Sequence, residues 1–357
     1  METRKIQTVG SGTYTVSLPK SWAESEGISA GTVVTLHADI DGLLRVEAPG
    51  HERDERSRVS VRVEDGEPER LERAVRAAYA AGFEELVLTA PDGFGDDQRG
   101  TVRAVTRTLP GVTIADESAD RLTVRTLLDA SEVSIRQTIR QLRFVALSMH
   151  RDATAALTGE ATVEAPGDRD DEADRLFAMI DRHVGRGLSR LDEVDALGVT
   201  RPELFALWVT ARELEGVADR AEQLATTAAE LDGQATVPGE GDLDAVARQA
   251  RQAVEDAVGV VVGDGTVDAA RRALAAREAV REETDAMDRA LFAAEGADYR
   301  LTHALEAVRR TAEHAGAVAE LALRIELGGG ELRSASVQDG DRDGDDWVLR
   351  AVAGSDE

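Results

Sequence analysis

Hydrophobic and polar positions follow three patterns along this chain, and each pattern predicts a different kind of architecture. Residues 1–50 alternate apolar and polar side chains with the two-residue period of half-buried strands. Residues 57–129 alternate strand-like and helix-like stretches, and from residue 131 onward apolar residues recur every three or four positions, as in amphipathic helices. The chain is therefore predicted to be a multidomain α+β protein.

The first pattern predicts a small β domain over residues 1–50. Its expected elements are two strands, a short helix and a hairpin, over Ile6–Val9, Thr13–Leu18, Lys20–Glu26, Val33–Leu36 and Leu43–Val46. Pro19 is suited to the first turn of a helix and Gly27 to its end. A segment of this length buries too little surface to be stable alone, so we predict a domain-swapped, obligate dimer.

The second pattern predicts a small α/β domain with a mixed sheet over residues 57–129. The expected order is β-α-β-α-β-β, over Val59–Val63, Pro68–Ala81, Leu86–Thr89, Asp97–Leu109, Thr113–Glu117 and Arg121–Leu127. A glycine-rich loop after a strand would indicate phosphate binding at a helix N-terminus. The segment Pro91–Gly95 is too irregular for such a loop and predicts a plain turn.

The third pattern predicts six helices, separated by stretches rich in glycine and proline, over residues 131–157, 170–197, 201–231, 242–262, 266–294 and 297–327. The third and sixth helices share a pattern at an offset of 94, with Leu214, Ala218, Ala221, Leu224 and Ala225 matching Val308, Ala312, Ala315, Val318 and Ala319. We therefore predict two tandem three-helix bundles, over residues 131–232 and 241–327. Residues 328–357 begin with three glycines and predict a flexible acidic tail.

Charge changes the picture of the N-terminal segment. The chain has 42 Lys and Arg residues against 69 Asp and Glu, a net charge of −27, and its only lysines are Lys5 and Lys20. Residues 1–50 carry four basic and six acidic side chains, so this is the one segment that tolerates a polyanionic partner. Lysine depletion with excess acid is typical of proteins from salt-in halophiles, and a GC-rich genome that favours arginine codons is the alternative.

Several classes of function are excluded by residues that the chain lacks. It has no cysteine, which rules out disulfides, thiolate catalysis, iron–sulfur clusters and cysteine-ligated zinc. No apolar run reaches the roughly 20 residues of a membrane span, and the charged N-terminus is unlike a signal peptide, so a soluble cytoplasmic protein is expected. The six histidines lack ligand spacing and are expected to be solvated or partly packed. Since no Ser-His-Asp arrangement is visible either, no enzyme is predicted.

Two pairs of carboxylates are the strongest candidates for a binding site. Glu215 and Asp219 are four residues apart in the third predicted helix and therefore share one face. Asp170 and Asp174 have the same spacing in the second predicted helix. Four carboxylates from neighbouring helices can converge on a hard or borderline cation, which prefers oxygen ligands. In so acidic a chain, a solvated acidic face is the alternative.

The helical part resembles the phosphate uptake regulator (PhoU) family on two segments, Leu214–Ala221 (LEGVADRA) and Asp170–Leu176 (DDEADRL). The resemblance covers about residues 131–327 and implies two similar three-helix bundles, whose acidic E/D-x-x-x-D motifs can bind iron or zinc. It implies metal ligands in the first bundle at Asp170, Asp174, Glu215 and Asp219. In the second bundle Arg281 and Arg309 replace the first acid of each motif, so no metal is expected there, because arginine repels cations.

The N-terminal segment is similar to AbrB/SpoVT-type swapped-hairpin DNA-binding domains over about residues 3–48. The similarity lies in Arg4–Gln7, Gly12–Trp22 and Gly31–Val34, and Ser17-Leu18-Pro19-Lys20 is its most specific part. It implies a dimer that presents Arg4, Lys5 and Lys20 to DNA. The alternative is that the domain only dimerises and that the two lysines cap or solvate short elements.

Together the two resemblances imply a dimeric, phosphate-responsive transcriptional regulator of phosphate uptake, bound to promoters of phosphate-transport genes. An alternative is a PhoU-type adaptor that does not bind DNA and regulates the phosphate transporter ATPase or its sensor kinase by protein contact. A metal-dependent hydrolase that uses the carboxylates of the first bundle is a third hypothesis.

Overall fold

All the described strands lie before residue 127, together with three helices, and the described chain after them is helical. The computed structural model describes residues 3–10, 12–38, 43–48, 58–63, 67–161, 167–231, 241–296 and 298–329. The strands are β1 Gln7–Val9, β2 Thr13–Thr15, β3 Thr35–Ala38, β4 Leu44–Glu47, β5 Arg58–Arg62, β6 Glu85–Thr89, β7 Val112–Glu117 and β8 Arg121–Thr126. The helices are α1 Lys20–Ser25, α2 Pro68–Ala80, α3 Asp96–Thr108, α4 Ile135–Leu157, α5 Gly167–Ser189, α6 Leu191–Ala196, α7 Arg201–Glu230, α8 Leu243–Val262, α9 Val267–Ala293 and α10 Arg300–Gly329. The predicted α+β class is confirmed.

The N-terminal segment consists of two separate antiparallel pairs, β1 with β2 and β3 with β4, on either side of α1. No side chain between residues 3 and 38 in the described part is buried. Instead, eight large apolar side chains are at least half exposed: Ile6, Val9, Tyr14, Val16, Val33, Leu36, Leu43 and Leu44. Within one copy of the chain, this segment therefore has almost no hydrophobic core of its own.

The α/β domain has one four-stranded sheet in the order β5-β6-β8-β7. β5 and β6 are parallel, as the helical crossover through α2 requires, and the other neighbours are antiparallel. The core between the sheet and its two helices includes Leu71, Val75, Leu86, Leu88, Val102, Val105, Leu122 and Val124. β5 and β7 form the two edges, and no other described strand pairs with their outer sides.

The helices form two bundles, α4–α5–α7 and α8–α9–α10, which pack against each other through α7 with α10 and α4 with α8. α7 and α10 are antiparallel: the Arg300 guanidinium binds the Glu230 carbonyl near one end, and His314 Nδ1 lies 2.7 Å from a Glu213 carboxylate oxygen further along. Their shared core is built from Ala, Leu and Val, as the scarcity of aromatic residues requires. None of the described helices is long and apolar enough to cross a membrane.

The second predicted helix, residues 170–197, is wrong in its continuity, because the structure divides it into α5 and α6 at Arg190. Arg190 is extended, with φ −130° and ψ 112°. The break lets Glu193 turn back to His183, at 2.6 Å, and to Arg186, at 2.8 Å. At the other end of the helical part, α10 extends two residues beyond the predicted limit of 327. The predicted acidic tail from residue 330 lies outside the described residues.

The α/β domain is attached to the first bundle through α5. The Arg182 guanidinium is buried and donates hydrogen bonds of 2.9 Å to the carbonyls of Tyr79 and Phe83, at the C-terminal end of α2. Gly185 lies against the Ala80 carbonyl, and a β-carbon at this position would collide with it. A helix end needs partners for its last carbonyls, and here a neighbouring domain supplies them. α5 therefore belongs to two cores at once.

Candidate functional site

The four predicted carboxylates lie on adjacent faces of α5 and α7 in the first bundle. The two helices are held in register by Trp208, whose indole N–H donates a 2.8 Å hydrogen bond to Asp181. One turn further along α7, the Arg212 guanidinium lies 5.9 Å from the centre of the Phe177 ring. These contacts place Asp170 and Asp174 of α5 opposite Glu215 and Asp219 of α7, and we call these four residues the acidic cluster.

The four carboxylates of the acidic cluster are close enough to one another to raise the pKa values of some of them. Burial, followed by the negative charges of Glu222, Asp174 and Asp219, raises the pKa of Asp170 to about 6. Burial and then Asp219 raise the pKa of Glu215 as well. Like charges that cannot spread apart favour protonation, and they equally favour a bound cation. A cation at this place would offset the repulsion among these carboxylates and lower the raised pKa of Asp170.

Two arginines moderate the acidic cluster from outside. The pKa of Asp174 is raised by partial burial, but Arg76 of the α/β domain opposes the shift. Arg212 similarly opposes the rise at Glu215. The Arg76 guanidinium also binds Glu72 of its own helix at 2.9 Å. The charge of the acidic cluster is therefore felt across the junction between the first bundle and the α/β domain.

The donor chemistry of the acidic cluster fits a cation that prefers oxygen ligands. In the described part of the chain, however, no group of three or more His, Asp or Glu side chains is arranged to hold a metal ion. The four carboxylates would have to turn toward one another to coordinate one. The four predicted residues lie in one neighbourhood, and their role as metal ligands stays a prediction.

The corresponding positions of the second bundle have the opposite charge, as the sequence predicted. Arg281 of α9 lies 2.8 Å from Glu278, and Arg309 of α10 is paired with Glu306 and, at 3.7 Å, with Glu313. Glu278, Glu306 and Glu313 thus each have an arginine partner. At these two positions the second bundle has an arginine paired with acids, where the first bundle has a carboxylate.

Two histidines contradict the expectation that all six are solvated or partly packed. His150 of α4 is fully buried, and burial, aided by the nearby Arg251, lowers its pKa to about 3. His183 of α5 is also fully buried and forms the 2.6 Å contact with Glu193. The charged partners, Arg251 for His150 and Glu193 for His183, come from α8 and α6, so the spacing along α4 and α5 did not indicate them.

A third histidine, His314, was missed as a neighbour of the acidic cluster. Its ring packs on Gly216, within the Leu214–Ala221 motif, and a β-carbon at Gly216 would lie 2.5 Å from the ring. Glu213 holds the ring through its Nδ1 atom. A glycine in the middle of a long helix costs about 1 kcal/mol relative to alanine, so it is the one signal that could have indicated a close approach here.

The three predicted DNA-binding residues are all exposed on the N-terminal segment. Arg4 and Lys5 precede β1, and Lys20 is the first residue of α1. The Lys20 side chain is 88% exposed, and its ammonium lies 3.5 Å from Glu24, one turn further along. An ion pair this exposed contributes little and leaves the ammonium available to a phosphate.

Comparisons with known proteins find a likeness at each end of the chain. Residues 7–54 match the family described as antidote-toxin recognition MazE, bacterial antitoxin. Among solved structures, the chain is similar to the crystal structure of PhoU from Pseudomonas aeruginosa, with 19% identity and a TM-score of 0.46, over 54% of this chain and 96% of that one. No curated protein matches. Residues 7–54 are thus similar to a MazE-type antitoxin family, which agrees with the likeness seen in the N-terminal motifs.

Proposed function

We propose that this protein is a dimeric, phosphate-responsive transcriptional regulator of phosphate uptake, which binds promoters of phosphate-transport genes through its N-terminal domain. One observation carries the proposal. The segment that lacks a core of its own is also the segment that holds both lysines of a chain with a net charge of −27. Its likeness to the MazE/AbrB type supports the same assignment.

Dimerisation follows from the exposed apolar side chains. Tyr14 is 77% exposed and Val33 is 85% exposed, although the segment that contains them forms strands and a helix. Burial of apolar surface stabilises by about 25 cal/mol per Å², and a second copy of the same segment can supply that burial symmetrically. The dimer would therefore be the folded form of this segment.

DNA binding follows from the side chains that the dimer leaves exposed. Arg4, Lys5 and Lys20 would be present twice, once from each copy, in a segment that carries four basic and six acidic side chains per copy. Basic side chains of this kind bind phosphates and set the register on the duplex. The remaining domains carry most of the net negative charge and would face away from DNA.

The signal would enter through the first bundle. We infer that the protein responds to phosphate because its two acidic motifs resemble those of PhoU proteins. The expected cation in the acidic cluster is iron or zinc. Asp170, Asp174, Glu215 and Asp219 would hold it, and the metal would supply positive charge. From the acidic cluster, α5 leads directly to the contact of Arg182 with α2. The proposed role is regulatory rather than enzymatic.

Genome-wide DNA occupancy of the tagged protein, with and without phosphate in the medium, tests this function. Sharp peaks at phosphate-transport promoters are expected, and they should disappear in the Lys5→Ala/Lys20→Ala variant. Arg271→Ala, which removes an exposed cation of α9, is the matched control and should keep the peaks. A flat profile from abundant, folded protein would contradict DNA binding.

A second candidate function is an adaptor that binds the phosphate transporter ATPase or its sensor kinase. Three of the six phenylalanines are exposed on the helical part: Phe144, Phe205 and Phe292, at 70%, 57% and 95%. In a chain so poor in aromatic residues, this favours contacts with another protein. Co-purification with the ATPase that survives Lys5→Ala/Lys20→Ala but not Phe144→Ser would support the adaptor.

A further inference from the structure

The sheet of the α/β domain has one face that α2 and α3 do not cover. The two helices contact each other and pack on one side of the sheet, against core residues such as Leu86 and Leu88. Successive side chains of a strand point to opposite faces, so the residues between these core positions point away from the helices. We call this second side the open face: every second residue of three strands, counted from Arg58 in β5, Glu85 in β6 and Arg121 in β8, together with Thr113 and Asp116 of β7.

Four arginines stand on the open face, in two rows that run across the strands. Arg58 and Arg125 flank Glu85 in the register of β5, β6 and β8. Arg62 and Arg121 flank the last residue of β6 in the same way. The rows are about 13 Å apart along the strands, and β5 and β8 are about 10 Å apart across the sheet. All four arginines are exposed, so the open face presents a broad array of guanidinium groups.

Two acids share the open face with the four arginines. The Glu85 carboxylate lies 3.1 Å from the guanidinium of Arg58 and 2.9 Å from that of Arg125. The hydrogen bond from Arg125, followed by the charges of Arg58 and Arg121, holds the pKa of Glu85 below its usual range. The second acid is Asp116, which is paired in register with Thr123. Positive charge therefore exceeds negative charge on this surface, in a chain whose net charge is −27. Such a local excess favours an anionic partner.

The other side chains of the open face are small and mostly polar. Ser60 and Thr113 are exposed, and Val87, the apolar residue at the centre, is buried. An interface with a protein usually has an apolar core rich in aromatic residues, and the strand positions of the open face carry no aromatic residue. Arginine, serine and threonine are side chains that bind phosphate oxygens of nucleic acids. Because single strands are bound largely by stacking of bases on aromatic rings, the open face fits the backbone of a duplex.

The open face belongs to the domain that follows the N-terminal segment directly. β4 ends at Glu47 and β5 begins at Arg58, and the chain between them spans at most about 40 Å when extended. We propose that the open face contacts the phosphate backbone of duplex DNA beside the site of the N-terminal domain. This inference rests on the proposed function. It makes the open face the exception in a part of the chain that would otherwise face away from DNA. Two linked contacts bind more tightly than either alone, because the second forms at high effective concentration.

Fluorescence anisotropy of the full-length protein tests the contact, with a labelled duplex of about 40 base pairs from a phosphate-transport promoter titrated at several salt concentrations. Arg58→Gln/Arg121→Gln is expected to lower the affinity at low salt by roughly tenfold or more. The slope of log affinity against log salt should become shallower by about two for each copy in contact, because fewer counterions are released. Arg70→Gln/Arg73→Gln, on the exposed side of α2, removes the same charge and should change neither quantity.

A conservative variant separates the contact from simple loss of structure. Arg58→Lys/Arg121→Lys keeps both charges and is expected to keep the salt slope of the unmodified protein. A slope that falls equally in the lysine and glutamine variants would assign these arginines a structural role and overturn the proposal.

The remaining outcomes distinguish this inference from the proposed function. Equal affinity and slope in the unmodified protein and in Arg58→Gln/Arg121→Gln would overturn the contact and leave DNA binding by the N-terminal domain standing. Tighter binding of the matching single strand would also overturn it, as would the loss of a co-purifying protein with unchanged DNA binding. No binding of the duplex by the unmodified protein at any salt concentration would contradict the proposed function itself.

Discussion

The two three-helix bundles have the same architecture but differ in what their second helix touches and in what charge it carries. In the first bundle, α5 carries Asp170 and Asp174 and is packed on one side by α2 of the α/β domain. In the second bundle, α9 carries Arg281 at the position corresponding to Asp170 and packs on α8 and α10. Thus α5 contacts a neighbouring domain and carries two acids of the acidic cluster, whereas α9 contacts the helices of its own bundle and carries an arginine at the position of Asp170.

This difference shows how two repeats of one fold can keep the same core and differ in surface charge. The core positions of both bundles are filled with Ala, Val and Leu, so packing does not distinguish them. The distinction lies in a few surface positions: Asp170 and Glu215 of the first bundle crowd other acids and have raised pKa values, whereas their counterparts Arg281 and Arg309 are paired with acids. We therefore interpret the first bundle as the part that would bind a cation and the second bundle as a structural support for the first.

The largest expected effect concerns the contact of α5 with the α/β domain. Gly185→Ala places a methyl group against the Ala80 carbonyl, which is backbone and cannot turn away. We expect the free energy of unfolding of the first bundle to fall by about 3 kcal/mol, measured by chemical denaturation. Gly259→Ala in α8 is the control: its β-carbon would have no neighbour nearer than 4.0 Å, so helix propensity should stabilise the second bundle by about 0.5–1 kcal/mol.

If Gly185→Ala were as well tolerated as Gly259→Ala, the close packing of α5 on α2 would be contradicted. The comparison between the bundles would then rest on charge alone. Hydrogen exchange of residues 79–83 measures the same contact locally and is expected to accelerate in Gly185→Ala only.

The next effect concerns cation binding. Titration of the full-length protein with Zn²⁺ or Fe²⁺ is expected to show one site, which Asp219→Asn weakens by roughly tenfold or more because a ligand and its charge are lost. Glu313→Gln, the matching change in the second bundle, should leave the affinity unchanged. Equal loss in both variants would mean that the metal binds elsewhere.

The same comparison can be tested by adding a site. Arg281→Asp together with Arg309→Glu gives the second bundle the charge pattern of the first. We expect the stoichiometry of Zn²⁺ or Fe²⁺ to rise from one to two. An unchanged stoichiometry would show that the four carboxylates are insufficient and that His314, beside Gly216, or Arg76 also decides the outcome.

The third effect is the pH dependence that the raised pKa of Asp170 gives to the first bundle. The pKa of Asp170 is about 6 in the folded protein, above the usual value for aspartate. Between about pH 4 and pH 6 Asp170 therefore binds more protons in the folded state than in the unfolded state, so its contribution to stability rises as the pH falls through this range. Asp170→Asn should remove this dependence and stabilise the protein at pH 7 by about 1 kcal/mol, measured by thermal denaturation.

A pH profile that is the same with and without Asp170→Asn would contradict the crowding of the acidic cluster. Asp285→Asn in α9, the counterpart of Asp174, is the control from the second bundle. It should leave the profile unchanged between pH 4 and pH 6.

Sequence patterns predicted the elements and the neighbourhood of the acidic cluster because both depend on periodicity. Helical spacing alone places Glu215 beside Asp219, and the pairing of helices follows from the bundle. The break at Arg190 could not be predicted, because it is stabilised by Glu193 reaching back to His183 and Arg186. Such contacts depend on which helices pack together, and a linear pattern does not contain that information.

The buried arginine contact at the domain junction was unpredictable for the same reason. Arg182 looks like a surface residue of an arginine-rich helix, and only the position of α2 buries it. The close contacts at Gly185 and Gly216, in contrast, could have been predicted from the sequence. Each is a glycine inside a helix, and each marks a place where another group approaches the backbone closely.

The smallest effect is also the most direct test of the comparison, because its sign should differ between the bundles. Asp219→Asn removes one of several crowded negative charges, so without metal we expect a gain of a few tenths of a kcal/mol. Glu313→Gln removes the partner of Arg310, at 2.8 Å, and of Arg309, so a loss of about 0.3–0.5 kcal/mol is expected. Thermal denaturation at low ionic strength with a chelator present measures both. Changes in unfolding free energy of opposite sign would confirm that the acids repel one another in the first bundle and are paired with arginines in the second. Changes of equal sign would mean that the acids of both bundles are ordinary surface charges.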